Sequence, residues 1–182
     1  MGTIVLIAIA ALALWGVLLY NRLVRDKNRV LAGWSDIDVQ LKRRYDLIPK
    51  LVDAVKQYAA YEKATLSAVT ELRSRSEQAV SVGDRARLEA ALGGGLQRLV
   101  AVAERYPELK ASANFLALQS DLSDVENHIQ YARRYYNGAV RNLNTRIDSF
   151  PDLFIARLFN FRPREYFELD TAAEKQPPSL KS

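Results

Sequence analysis

The chain has 182 residues, a formal charge of +5, one histidine and no cysteine. Without cysteine there is no disulfide framework, no thiol nucleophile and no thiolate metal site. The length suits one domain with a sizeable core beside an anchoring segment.

Residues 2–20 carry no charge. As a helix rising ~1.5 Å per residue they span about 28 Å, close to the hydrocarbon thickness of a bilayer. Ten of them are Ile, Leu or Val, together favouring insertion by about 3–6 kcal/mol. Trp15 and Tyr20 stand toward one end, as interface anchors do. A cleaved signal peptide is the competing reading. Nothing basic precedes the run, however, and the cleavage-site mimic Ala11-Leu12-Ala13 lies inside it. Residues 1–20 are therefore expected to form a retained transmembrane anchor that touches lipid through residues 2–20.

The positive charge sits beside that anchor. Residues 21–44 hold seven basic side chains against three acidic ones, whereas residues 45–140 balance at twelve and twelve. Arg22, Arg25, Lys27 and Arg29 lie nearest the span. They satisfy the positive-inside pattern if the following domain is cytoplasmic; an extracytoplasmic, periplasmic domain is the alternative. Near anionic headgroups each would gain about 1 kcal/mol. A membrane-adjacent cluster without a binding motif calls for no nucleic acid.

From Tyr20 the chain enters an amphipathic pattern without a loop. Val30, Trp34, Ile37, Leu41, Tyr45, Ile48, Val52, Val55 and Ala59 follow at spacings of 4 and 3, Glu62 interrupts, and Leu66 and Val69 resume in step. That is a helix seam, expected to run to about Val80. Pro49 falls inside it. Either Asp46 caps a new helix and the chain reverses near Tyr45–Ile48, or one long helix is kinked there. The unbroken register favours the kink; compactness favours the reversal.

Ser81-Val82-Gly83-Asp84 reads as a turn, with Gly83 as a helix stop and Asp84 as the next N-cap. The helix expected over 85–105 contains Gly93-Gly94-Gly95, each glycine costing about 1 kcal/mol against alanine, so it is either the weakest helix or a broken one. Tyr106 to Lys110 makes a corner. The last long helix starts near Ser112–Asn114 and carries Leu118, Leu122, Val125, Ile129, Ala132, Tyr136, Ala139, Leu143, Ile147 and Phe150 at spacings of 4 and 3, and it stops at Phe150-Pro151. A short apolar piece and a mixed aromatic and basic segment follow, then a polar tail over 169–182 that is expected to be disordered. No segment alternates like a strand, so the fold class is all-α.

One echo is internal. Tyr20-Asn21, Val24 and Asn28 recur with the same spacings as Tyr136-Asn137, Val140 and Asn144. Asparagines seven apart share a helix face. Asn21, Asn28, Asn137 and Asn144 are expected to form a polar layer that fixes the register of the first helix against the last.

Catalytic chemistry is not expected. His128 is the single histidine, so a di-metal carboxylate site with its paired Glu-x-x-His motifs cannot be built. The carboxylates mostly accompany lysines and arginines on polar helix faces, as Asp53 does Lys56. No nucleophile has an adjacent base, and no catalytic residue, metal ligand or cofactor is assigned.

Two blocks carry a resemblance. The first is Gly33-Trp34-Ser35-Asp36-Ile37-Asp38-Val39-Gln40-Leu41 and onward to Pro49. The second lies within 104–151 and includes Tyr106-Pro107-Glu108-Leu109-Lys110, Asn114-Phe115, Glu126-Asn127-His128-Ile129 and Ala132-Arg133-Arg134-Tyr135-Tyr136-Asn137. Over about residues 4–168 the chain resembles the LemA family of bacterial membrane proteins. Lys50, where the family usually has asparagine, and the Gly93–Gly95 run depart from its pattern. The resemblance implies one N-terminal span, the bacterial inner membrane, and a four-helix up-and-down bundle over 21–168, and it favours the reversal near Pro49. It defines no activity. Some relatives are encoded near a membrane zinc metalloprotease, which makes such a protease a candidate partner.

The expected function is a non-enzymatic membrane-anchored scaffold or adaptor that assembles with itself or with another membrane protein. The alternative is direct action on lipid through residues 153–167, where Phe159, Phe161 and Phe167 accompany Arg162 and Arg164.

Overall fold

The computed structural model describes residues 1–168; the expectation for 169–182 lies outside them. The described residues form six helices and no strand. They are α1 (Gly2–Tyr58), α2 (Lys63–Gln78), α3 (Val82–Ala103), α4 (Pro107–Lys110), α5 (Ala113–Asp148) and α6 (Asp152–Leu158). The all-α expectation holds.

The reversal at Pro49 does not occur. α1 passes through Pro49 unbroken, and the proline ring faces solvent while Tyr45, Ile48 and Leu51 are buried. The chain leaves the helix ten residues later, across 59–62, where Ala59 is buried and Glu62 pairs with Arg105 at 2.7 Å. The seam therefore breaks at the charge that interrupted it and does not run on to Val80. Ser81, not Asp84, caps α3: its Oγ accepts from the Asp84 N–H at 3.0 Å, and Gly83 lies inside the first turn.

The chain divides into two compact units, one of residues 1–39 and 129–166, the other of 40–128 with 167 and 168. In the first, α1 and α5 approach closely at Gly33. A Cβ there would sit 3.0 Å from Tyr135 Cδ1 and 3.1 Å from Tyr136 Cα, so any side chain would push the helices apart. Trp34 and Tyr136 pack ring to ring beside it, 5.5 Å between centroids.

The second unit contains the end of α1, α2, α3, α4 and the start of α5, with α3 folded back along α2 after a three-residue connection. The glycine run does not break α3. Gly95 serves the crossing, because a Cβ would lie 3.3 Å from Val69 Cγ2 on α2, whereas Gly93 and Gly94 face open space. Gly93→Ala and Gly94→Ala are each expected to raise stability by about 0.5–1 kcal/mol, since alanine restricts the unfolded chain without a clash. Gly95→Ala is expected to lose part or all of that gain. Thermal unfolding by circular dichroism checks the ranking.

Candidate functional site

In the first unit α1 begins with an almost wholly uncovered apolar face: Ile4, Leu6, Ile7, Leu12 and Leu14 are each more than 60% exposed. This helix is long and apolar enough to cross a membrane. Covering starts where the uncharged stretch of residues 2–20 ends, at Leu19 and Leu23, which are buried. The cover is α6 and the segment after it. Ile155 Cδ1 lies 3.9 Å from where a Cβ on Gly16 would be, and the Tyr20 ring meets Phe159 at 4.7 Å and Phe161 at 5.8 Å between centroids. The outer side of this cover is apolar and open. Phe150, Phe154, Leu158 and Phe159 are all more than half exposed, at the level where the uncharged run ends.

The segment is pinned from α5. Asn144 Nδ2 donates to the Arg164 carbonyl at 2.9 Å, its Oδ1 accepts from the Arg164 N–H at 2.8 Å, and the Tyr136 hydroxyl donates to the Glu165 carbonyl at 2.9 Å. Burial pushes the Tyr136 phenol above its ordinary value, with the nearby Arg164 guanidinium pulling the other way. Asn160 turns the chain after α6 at φ 55°, a left-handed conformation asparagine tolerates better than most residues.

The four asparagines expected to form a polar layer differ in their surroundings. Asn21 and Asn28 are exposed, Asn137 is half-buried, and both amide groups of Asn144 serve the backbone of Arg164. An ionic link joins α1 and α5 in this unit. Buried Asp26 accepts from Arg146 Nε at 2.6 Å and from Arg29 at 3.2 Å, and Arg146 also reaches Asp152 at 3.5 Å. The hydrogen bond to Asp26 raises the Arg146 guanidinium further above its already high value, so it stays charged.

The four cations expected beside the span, Arg22, Arg25, Lys27 and Arg29, are exposed, and Arg29 alone of them makes an ion pair among the described residues. Among the residues suggested for lipid contact, Phe159, Arg162 and Arg164 are exposed and Phe161 is half-buried. Phe167 is fully buried and cannot meet lipid, which corrects that assignment.

The second unit has its own polar node, which the sequence reading missed. Arg44 is buried on α1 and pairs with buried Glu89 of α3 and, at 2.6 Å, with Glu126 of α5. The Tyr45 hydroxyl donates to Glu89, and Arg73 Nε of α2 donates to the Tyr45 carbonyl at 2.8 Å. Four helices thus meet at two consecutive residues. His128 is exposed, its Nδ1 2.8 Å from the Asp124 carbonyl on the same helix.

Fold and site together define an all-helical protein whose first helix emerges from an apolar, membrane-length segment and whose later chain folds back over the end of that segment. The sequence profile of the LemA family matches residues 33–181, and the chain belongs to that family. It is similar to the protein LemA of Metamycoplasma hominis, 29% identical over 84% of this chain and 74% of that one. It is also similar to magnetosome protein MamQ 2 of Paramagnetospirillum magneticum and magnetosome protein MamQ of Magnetospirillum gryphiswaldense, at 26% and 24% identity. Each match covers 85% of this chain and 66% of the relative, so the chain spans about two thirds of those relatives' length. None of these names describes an enzyme.

Proposed function

We propose that this protein is a non-enzymatic, membrane-anchored scaffold at the bacterial inner membrane, whose helical domain assembles with further copies of itself or with another membrane protein. The observation that carries the reading is the continuity of α1: the uncovered apolar run passes without a loop into the buried seam that starts at Leu19 and Leu23. A rigid helix of that kind ties whatever docks on the domain to the bilayer. The exposed cations Arg22, Arg25, Lys27 and Arg29 support a cytoplasmic domain. A membrane metalloprotease is one candidate partner. Native mass spectrometry of the full chain in nanodiscs tests the proposal. A mass that is a multiple of 20.5 kDa, or a stoichiometric companion, is expected; a strict monomer that binds no other protein overturns it.

A second reading has its own support. The exposed Phe150, Phe154, Leu158 and Phe159 stand beside the end of the uncharged run, as an interfacial segment would. In this reading α6 and its flanks lie in the headgroup region and hold the domain against the membrane surface.

A further inference from the structure

Between α1 and the segment after α6, within the first unit, lies a hollow of about 450 Å³. Tyr20, Phe159 and Phe161 form its apolar side, and Lys27, Arg162 and Arg164 bring three cations to it, with the amides of Asn28 and Asn160. Among the described residues, no ion pair occupies Lys27, Arg162 or Arg164. Of the two acidic residues adjacent in sequence to these cations, Asp26 is committed to Arg29 and Arg146, and Glu165 makes no ion pair with Arg164 among the described residues. The walls are set in advance: Asn144 holds the Arg164 backbone from both sides, and Tyr136 holds Glu165. Cations free of ion pairs among the described residues, beside aromatic rings, suit an anion that carries an apolar group.

The depth fits as well. Lys27 follows Tyr20 by seven residues, about 10 Å along a helix axis. Helical side chains tilt toward the N-terminus, so the long Lys27 stem leans back toward the apolar run. If residues 2–20 occupy hydrocarbon, the three cations stand at the height of lipid phosphates.

We infer that this hollow binds the phosphodiester of an anionic phospholipid headgroup, with Lys27, Arg162 and Arg164 as the phosphate contacts and the Tyr20, Phe159 and Phe161 rings against the glycerol and upper acyl chain. Arginine donates to phosphate oxygens in pairs, and lysine adds a point charge. The inference rests on the interfacial reading of α6.

The test uses the full chain in uncharged maltoside micelles, titrated calorimetrically with dihexanoyl phosphatidylglycerol and separately with inorganic phosphate. Saturable binding of one lipid per chain is expected. The pair of changes Arg162→Gln and Arg164→Gln should weaken it about tenfold or more, the scale of two lost hydrogen bonds to a charged group. Arg22→Gln with Arg25→Gln removes the same charge from outside the hollow and should change it less than about threefold. Inorganic phosphate that binds and displaces the lipid supports the site and shows that the bare anion suffices; lipid binding without phosphate binding supports it and identifies the headgroup as the ligand. Absence of saturable binding to either, or equal loss in the two double variants, overturns it. A separate readout isolates the interfacial reading. Phe154→Trp in a Trp15→Phe background should be quenched by brominated phosphatidylcholine in nanodiscs beyond the Trp15→Phe control. Quenching with no headgroup binding removes the site alone, and no quenching removes the interfacial reading.

Discussion

Replacing Arg44 by methionine is expected to destabilise the second unit by about 3–5 kcal/mol, because it leaves Glu89 charged and buried with no cation beside it. Glu126 is about one third exposed and can turn to water, so the cost falls on Glu89. The Tyr45 hydroxyl still reaches Glu89, but one neutral donor does not replace a guanidinium. Adding Glu89→Leu to the same chain should recover most of the loss, since well-packed apolar groups in place of a buried ion pair are often neutral or better. Urea unfolding of the full chain in detergent, followed by far-ultraviolet circular dichroism, gives both numbers. A loss under about 1 kcal/mol for Arg44→Met would show that water already reaches Glu89. If the double variant is no better than the single one, the cost lies in packing and not in the stranded carboxylate.

This node shows where the sequence was readable and where it was not. Helix types and seams came through because tertiary packing followed the spacing of 3 and 4: of the residues read as the α5 seam, all but Ala132 and the terminal Phe150, which is exposed, are buried. The same rule placed charges on the seams. Arg44 stands three after Leu41 and four before Ile48, Asp26 three after Leu23 and four before Val30, and Glu89 three after Ala86 and three before Leu92; every one of those apolar neighbours is buried. A charged residue in phase with a buried face was therefore a visible signal for a buried ion pair. Its partner was not visible, since Arg146 pairs with Asp26 across 120 positions and the choice depends on how helices are set against one another. The asparagine echo shows the same limit at Asn144. Equal spacing puts Asn137 and Asn144 on one face, but α6 and the chain beyond it supplied a backbone for Asn144 that no helix-pair argument contains. The turn at 59–62 has no glycine or proline to announce it. Pro49, which did stand out, turned out to be accommodated.

The accommodation of Pro49 is itself open to measurement. Proline has no N–H, so the carbonyl four residues earlier in a helix, here Tyr45, loses its donor. Arg73 of α2 supplies the missing donor through Nε at 2.8 Å, which makes a helix break unnecessary and fixes α2 to α1 at that turn. Arg73→Met should therefore cost about 1.5–3 kcal/mol in the natural chain, the range for a lost hydrogen bond from a charged group to a part-buried acceptor. In a Pro49→Ala background the backbone N–H restored at that position takes the Tyr45 carbonyl, and the same Arg73→Met change should cost about 1 kcal/mol or less, mainly its weak pairing with Glu77 at 3.7 Å. The cycle of four proteins thus predicts a coupling of about 1–2 kcal/mol between a proline on one helix and an arginine on the next. Equal costs in the two backgrounds would mean that Arg73 holds α2 by its packing alone, and that the helix tolerates an unpaired carbonyl beneath Pro49.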